Sequence, residues 1–187
     1  ALFQIETKDE LVVDSAAGGR TTFRNAGQTL RRGLEAGLDS HWANNLTTRL
    51  AYTLLDARYD EAFTSSSGLI NSGNRLPGVP AQSLFGELAW RHQASGFHAA
   101  VEGIARSKVY VEDTNTKQAA PAYAIANLRF GVDRKFGSLN LRTFLRFDNI
   151  FDRQYVGSVI VGDGNSRYYE AAPGRTWLAG VTARYSF

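Results

Sequence analysis

The chain has 187 residues, with 18 Gly, 4 Pro, no Cys and no Met; 43% of residues are hydrophobic, 12% aromatic and 21% charged. This is too hydrophobic for a disordered chain, and the lack of cysteine excludes disulfide frameworks, thiolate metal sites and thiol catalysis. With 21 basic and 18 acidic residues the net charge is +3, far from the concentrated basic patch of a nucleic-acid binder, so no nucleic-acid partner is expected.

No stretch approaches the roughly 20 apolar residues of a membrane-spanning helix. The longest charge-free run, 62–74, is rich in Ser, Gly and Asn. Hydropathy does not detect membrane β-barrels, however, because their apolar residues alternate with polar ones. The first ten residues hold Glu6, Lys8, Asp9 and Glu10, a charge density that a secretory signal peptide does not carry.

Period-2 alternation runs through the chain and predicts about eight strands, most of them long enough to cross a bilayer obliquely. In chain order they are 1–13, 33–42, 46–58, 83–91, 97–112, 122–133, 139–151 and 176–187. In 97–112, Phe97, Ala99, Val101, Ala105, Val109 and Val111 oppose His98, Glu102, Arg106 and Lys108. In 122–133, Ala124, Ala126, Leu128, Phe130 and Val132 oppose Asn127, Arg129 and Asp133. In 139–151, Leu139, Leu141, Leu145, Phe147 and Phe151 oppose Asn140, Arg142, Arg146 and Asp148. The last segment sets Trp177, Ala179, Val181, Ala183, Tyr185 and Phe187 against Thr176, Gly180, Thr182, Arg184 and Ser186.

The connections alternate in length. Tight turns fall at 43–45, 94–96 and 137–138, and longer polar loops near 14–21, 60–81, 113–121 and 154–174. One end of the sheet therefore carries short turns and the other long loops, the asymmetry of outer-membrane barrels. All four prolines, Pro77, Pro80, Pro121 and Pro173, fall in or beside the long loops, as they must if they are to leave the strand ladders intact. Aromatic residues gather near the strand ends: Trp42, Trp90, Phe97 and Phe136 by the short turns, Tyr59, Phe151 and Trp177 by the long loops. This is the placement of interfacial girdles.

The polar faces are charged. Arg49, Glu87, Arg91, Glu102, Arg106, Arg129, Asp133, Arg142, Arg146, Asp148 and Arg184 would all project into one lumen, where a dry soluble core could not hold them without large desolvation costs. Two other architectures use the same pattern: a complete small barrel of eight strands with a structural, adhesive or small-solute role, and a soluble sandwich with Leu145, Phe147, Val181 and Ala183 inside. Closure of the small barrel requires the strand holding Phe3 and Ile5 to pair with the strand ending at Phe187. His92 and His98 flank the 94–96 turn, but too few ligands surround them for a metal site, so they read as interfacial polar residues. No nucleophile–His–acid set and no phosphate loop stands out, so no enzyme and no cofactor is expected.

Several motifs carry a resemblance. Residues 148–158 (DNIFDRQYVGS) are similar to the N-L-F-D-x-x-Y element of TonB-dependent receptors, and 170–175 (EAAPGR) to the P-G-R that precedes their last strand. Residues 25–35 (NAGQTLRRGLE) and 74–80 (NRLPGVP) resemble two earlier barrel elements of the same family. The last strand, with Trp177 and Tyr185 and ending in Phe187, resembles the C-terminal assembly signal of bacterial outer-membrane proteins. The nearest likeness is to ferric-siderophore receptors of the ferric-citrate-like branch.

The resemblance implies an all-β, antiparallel, up-and-down transmembrane β-barrel segment in the outer membrane of a Gram-negative bacterium. The family's barrel has about 22 strands around a plug, so residues 1–187 would be a C-terminal barrel segment with the plug absent. Implied partners are a ferric chelate in the intact receptor, lipid and lipopolysaccharide, the barrel-assembly machinery through the last strand, and the TonB system only through the missing N-terminal part. Arg75 in the second long loop, with Tyr155, Arg167, Tyr168 and Tyr169 in the last, are the candidate contacts to an anionic iron chelate. Guanidinium groups suit carboxylates through paired hydrogen bonds, and tyrosines add flat apolar surface. The iron would arrive inside the chelator, so no protein metal ligand is implied.

Overall fold

A computed structural model describes all 187 residues. The strands are β1 (Leu2–Lys8), β2 (Leu11–Ala17), β3 (Arg20–Asn25), β4 (Gln28–His41), β5 (Leu46–Tyr59), β6 (Phe63–Ser65), β7 (Gly68–Ile70), β8 (Gln82–Arg91), β9 (Phe97–Arg106), β10 (Tyr123–Phe136), β11 (Leu139–Asp148), β12 (Val156–Val159), β13 (Tyr169–Ala171) and β14 (Thr176–Tyr185). One eight-stranded sheet runs β1-β4-β5-β8-β9-β10-β11-β14, and β2-β3, β6-β7 and β12-β13 are separate two-stranded hairpins. Every ladder of the main sheet is antiparallel. The fold is thus an all-β, up-and-down sheet of eight strands, as the alternation predicts.

β1 pairs only with β4, and β14 only with β11. The sheet does not close on itself, which removes the small closed barrel. No second sheet packs on its apolar face either: Leu88, Val101 and Val181 are 43%, 41% and 72% exposed, which removes the sandwich. On β9, by contrast, Glu102 beside Val101 is only 7% exposed. Side chains crowd together on the inside of a curved sheet and splay on its outside, so the charged face is the concave one.

The ends of several strands differ from the sequence reading, some for a visible local reason. Segment 1–13 is two strands, because Asp9 adopts a left-handed conformation (φ 52°) and starts a new hairpin. The loop expected at 14–21 lies within that hairpin, β2–β3. Segment 97–112 leaves the ladder after Arg106; Val109 bridges to Ala120, and Val111 is buried among the loops. Segment 139–151 stops at Asp148, where Asn149 (φ 51°) and Asp152 (φ 52°) turn the chain and leave Phe151 exposed. β4 begins at Gln28, five residues before the predicted start at 33.

The short turns are tight. In the β8–β9 turn Gly96 has φ 70°, and a Cβ there would lie 1.9 Å from the Asp133 carbonyl oxygen, so the β10 backbone can approach only a glycine. Trp42, Trp90, Phe97 and Phe136 lie at this end on the apolar face, which the register with β5, β9 and β11 defines.

At the opposite end the loops fold inward over the charged face. Ala57 and Tyr59, on the same side of β5 as Arg49, pack with Val12, Ala26, Ile70 and Leu76 in one buried cluster. Tyr59 is therefore not a girdle residue: it is buried, and its hydroxyl donates to Asp113 Oδ1 at 2.7 Å. The β2–β3 hairpin is joined to the second loop by Ser66, whose hydroxyl donates to the Asp14 carbonyl at 2.9 Å. It is joined to the last loop by an Ala16–Asp163 bridge. Replacing the fully buried Ile70 with Ala is expected to lower the opening free energy of this cap by about 2–5 kcal/mol. Hydrogen exchange at the Tyr59 and Gly73 amides, which pair across this cluster with Asn74 and Tyr59, would report that loss while the β9–β10 amides stay unchanged.

Candidate functional site: a charged concave face and its loop-lined mouth

Antiparallel pairing brings like charges into register across the middle of the concave face. Glu87 on β8 stands opposite Glu102 on β9, and Arg129 on β10 opposite Arg146 on β11. Directly opposed like charges destabilise a sheet, so Arg129 and Arg146 reach diagonally or one strand further, while Arg49 already stands opposite Asp39 and Glu87. Arg49 binds Asp39 at 2.8 Å and approaches Glu87 at 3.8 Å. Arg129 joins Glu87 at 3.1 Å to Glu102 at 3.6 Å. Arg146 grips both oxygens of Glu102 at 2.7 and 3.0 Å, and its Nε donates to Asp148 at 2.7 Å. The result is one alternating network from β4 to β11.

The network continues into the turn after β11. Asn127 Nδ2 donates to Glu102 at 3.3 Å, while its Oδ1 accepts from the Asn149 backbone N–H at 2.9 Å. Asn149 in turn exchanges hydrogen bonds with the Arg153 backbone at 2.9 and 3.0 Å. Asp152 Oδ1 accepts the Arg175 N–H at 2.8 Å, and a Cβ on Gly174 would sit 2.7 Å from that oxygen. The DNIFD and PGR motifs, far apart in sequence, are therefore two halves of one interlocked turn.

Cavities open at both ends of the concave face. One, of about 390 Å³, belongs to the short-turn end. The other region is the mouth, where spaces of about 370 and 340 Å³ share Pro121 and Val156. Arg106, Tyr123, Arg153, Tyr155 and Tyr169 supply its charge and aromatic surface. Tyr123 is in register with Arg106 and packs on Tyr155 with ring centroids 4.4 Å apart. Burial first, then the neighbouring Tyr123 and Asp148, raises the Tyr155 phenol above its usual value, so it stays a neutral donor.

The candidates proposed from sequence do not all meet here. Tyr155 and Tyr169 line the mouth. Arg75 is held elsewhere, 3.6 Å from Asp56, with its backbone N–H donated to Asn115 Oδ1 at 2.7 Å. Tyr168 is buried against Tyr169, and Arg167 lies exposed at a turn closed by its own N–H to Asp163 at 2.6 Å. Tyr123 and Arg153 escaped the sequence reading. The signal for Tyr123 is its place two residues after Pro121, at the start of a strand, but its facing partner depends on the register across the 107–122 loop. Of the charges expected to share a face, Arg49, Glu87, Glu102, Arg106, Arg129, Arg142, Arg146, Asp148 and Arg184 all do so by register. Trp177 and Tyr185 lie on the apolar face of the edge strand β14, and Phe187 follows it with its ring 5.3 Å from that of Tyr185.

The loop cap carries buried acids of opposite behaviour. Burial raises the Asp113 carboxyl above its ordinary value, a tendency that the Tyr59 hydrogen bond opposes and the nearby Glu112 reinforces. Glu112 is also buried, but hydrogen bonds from the Lys117 N–H at 3.0 Å and the Thr114 N–H at 2.7 Å outweigh that and hold it below its ordinary value.

An up-and-down antiparallel sheet with a charged concave face, an apolar outer face and loops folded over one mouth is the architecture of a wall segment of a membrane receptor barrel. Residues 1–150 match the family described as TonB dependent receptor-like, beta-barrel, and the chain belongs to it. Among solved structures it is similar to the siderophore receptor PiuA from Acinetobacter baumannii: 20% identity, TM-score 0.74, covering 98% of this chain and 25% of that one. It is also similar to the ferric yersiniabactin uptake receptor FyuA from Yersinia pestis, with 19% identity, TM-score 0.72, and 100% and 27% of the two chains covered. A third likeness is to the ferric citrate transporter FecA, with 18% identity, TM-score 0.74, and 97% and 28% covered. These likenesses establish the fold, and the chain spans about a quarter of the length of each of those proteins. The family is one of receptors and not of catalysts.

Two outcomes test this region. Replacing Glu102 with Gln removes the shared partner of Arg129 and Arg146 and is expected to cost about 1–3 kcal/mol in urea unfolding of the detergent-folded chain. Since the Asp113 value is raised, its stabilising contribution is complete below the ordinary aspartate range near about 3.9 and is lost as pH rises through the raised value. Glu112, held low, keeps its contribution over that range. Protease resistance of the loop cap should therefore fall between acid and neutral pH in the native chain, and fall less in Asp113→Asn, which keeps the acceptor for Tyr59.

Proposed function

We propose that this chain is a wall segment of an outer-membrane receptor of a Gram-negative bacterium that binds and takes up an anionic ferric chelate. The observation that carries the reading is the mouth. A cation, Arg106, and the phenol Tyr123 line one space at the loop-bearing end of the charged concave face, and Tyr155, packed on Tyr123, lines the adjoining one. Guanidinium groups satisfy carboxylate or phenolate oxygens, and the tyrosine faces cover the chelator's flat surface. The receptors that share the fold are described as acting on siderophores, ferric yersiniabactin and ferric citrate.

On this reading the exposed row Leu50, Leu54, Leu84, Leu88, Val101 and Val181 faces lipid, and the charged concave face borders the space through which the cargo passes. The long loops then lie outside the cell and the short turns in the periplasm. Residues 1–187 act as the C-terminal barrel part of a larger receptor, whose plug and TonB contacts lie in segments other than this one. The free β14 edge, with Trp177 near its start and Tyr185 and Phe187 at and beyond its end, is the surface offered to the assembly machinery.

The test is uptake. The intact parent receptor should restore chelate-dependent iron uptake to a receptor-deficient strain, and no restoration with any ferric chelate would sink the reading. Arg106→Ala or Tyr155→Ala in that receptor should weaken binding of the transported chelate at least about tenfold, the loss of one charge-assisted contact or one buried aromatic face. Equilibrium titration with the iron-loaded chelate would measure it.

A further inference from the structure

Three loops wall the mouth, and one short segment holds them. Gly78 of the second long loop, Ala120 and Pro121 of the 107–122 loop, and Val159 and Val161 of the last loop line the same space. These walls are tied together through backbone. The Gly78 N–H donates to the Tyr110 carbonyl at 2.9 Å, and the Gly162 N–H to the Val111 carbonyl at 2.9 Å. Val109 and Ala120 exchange both of their backbone hydrogen bonds, at 2.8 and 3.0 Å. Two consecutive carbonyls therefore carry the second loop and the last one, and the 107–122 loop is closed around them.

Two residues further on, the same segment is fastened into the cap. The Asp113 carboxylate accepts the Tyr59 hydroxyl at 2.7 Å, and the Asp113 carbonyl accepts Asn74 Nδ2 at 2.9 Å. Asn115 Oδ1 accepts the Arg75 N–H at 2.7 Å, and its Nδ2 donates to the Arg75 carbonyl at 2.9 Å. Val111, Glu112 and Asp113 are all buried. Two residues of chain reach at most about 7 Å. The Glu112 carboxylate, accepting the Thr114 and Lys117 N–H groups, closes the turn that follows. The segment has no slack with which to release the cap and keep the mouth walls.

We propose that residues 110–113 are a keystone that makes the cap and the mouth walls one cooperative gate, with the Tyr59–Asp113 hydrogen bond as its latch. Opening any one loop alone would leave polar groups of a buried segment without partners, a cost that favours opening all of them together. The latch also responds to protons. Asp113 is faced by Tyr59 from β5, by Asp14 and Arg24 from the β2–β3 hairpin, by Glu112 from its own loop, and by the uncharged Asn74 from the second loop. Burial raises its carboxyl above the ordinary value, against the Tyr59 hydrogen bond. The gate is therefore tightest at acid pH and loosens as pH rises through that raised value. Its bonds lie within the packing of these loops, so it stands whether or not the mouth binds an iron chelate.

The test is native-state hydrogen exchange on the full 187-residue chain folded in detergent, with no ligand added. The amides of Tyr59 and Gly73 report the cap, and those of Gly78, Ala120 and Gly162 report the mouth walls. In the native chain all five are expected to share one opening equilibrium. Relative to intrinsic exchange, all five should gain protection together as pH falls. Tyr59→Phe, which removes the latch donor, should speed exchange at the three mouth amides at least about tenfold at neutral pH. Tyr169→Phe removes the hydrogen bond from that hydroxyl to the Gln118 carbonyl at 2.5 Å, and should speed the two cap amides at least about threefold. Asp113→Asn, which keeps an acceptor for Tyr59, should flatten the pH dependence at all five. Separate opening equilibria for cap and mouth amides overturn the proposal, as do substitutions whose effects stay within the loop that carries them. The native-chain pattern needs no substitution and decides alone if a variant does not fold.

Discussion

The rest of the structure depends on how one sheet face accommodates its ions. Period-2 alternation sends every second residue to the same side, so a sheet that is apolar outside must collect its charges inside. Regular antiparallel registration then sets Glu87 against Glu102 and Arg129 against Arg146. The sheet is stable in that register because long side chains reach one strand further, turning two repulsive rows into an alternating network. Glu102 is the node: it is 7% exposed and meets both arginines and Asn127. A buried carboxylate is costly alone and tolerable with several donors, so β8 to β11 are held in one register by that shared need.

The same network reaches the loops. Asn127 links Glu102 to the Asn149 turn, and Asp152 fastens that turn to the segment leading into β14. The mouth residue Tyr155 follows directly, so its position against Tyr123 is set by hydrogen bonds that begin in the sheet. On the opposite flank, the cap over β4 and β5 is apolar, with Tyr59 and Ile70 at its centre. One side of the mouth is thus built by polar interlocking and the other by packing. The charge network ends near the short turns, where Lys135, Arg142 and Arg184 make no ion pair within the segment.

Much of this was legible in the chain itself. Alternation in 122–133, 139–151 and 176–187 marks β10, β11 and β14 and sorts Arg129, Arg142, Arg146 and Arg184 onto one side, since parity survives any error in strand ends. The motifs at 148–158 and 170–175 identify the family without revealing what their residues do. The ends of strands were less legible: Asp9, Asn149 and Asp152 leave the strand by adopting positive φ, which asparagine and aspartate tolerate without requiring it. Arg75, Arg167 and Tyr168 have the right chemistry for an anion contact, but their loops turn them toward Asp56, solvent and the protein interior.

The sequence by itself determined the two-faced strands and the alternation of short turns with long loops, because each follows from local residue order. Only the tertiary structure decided that the sheet stays open, that the loops fold inward over Tyr59, and that Arg106, Tyr123 and Tyr155 share one opening. It also decided which charges of the concave face are paired. The physical reason is common to all of these: pairing partners are chosen by register between strands distant in sequence, and a shift of one residue would exchange every face.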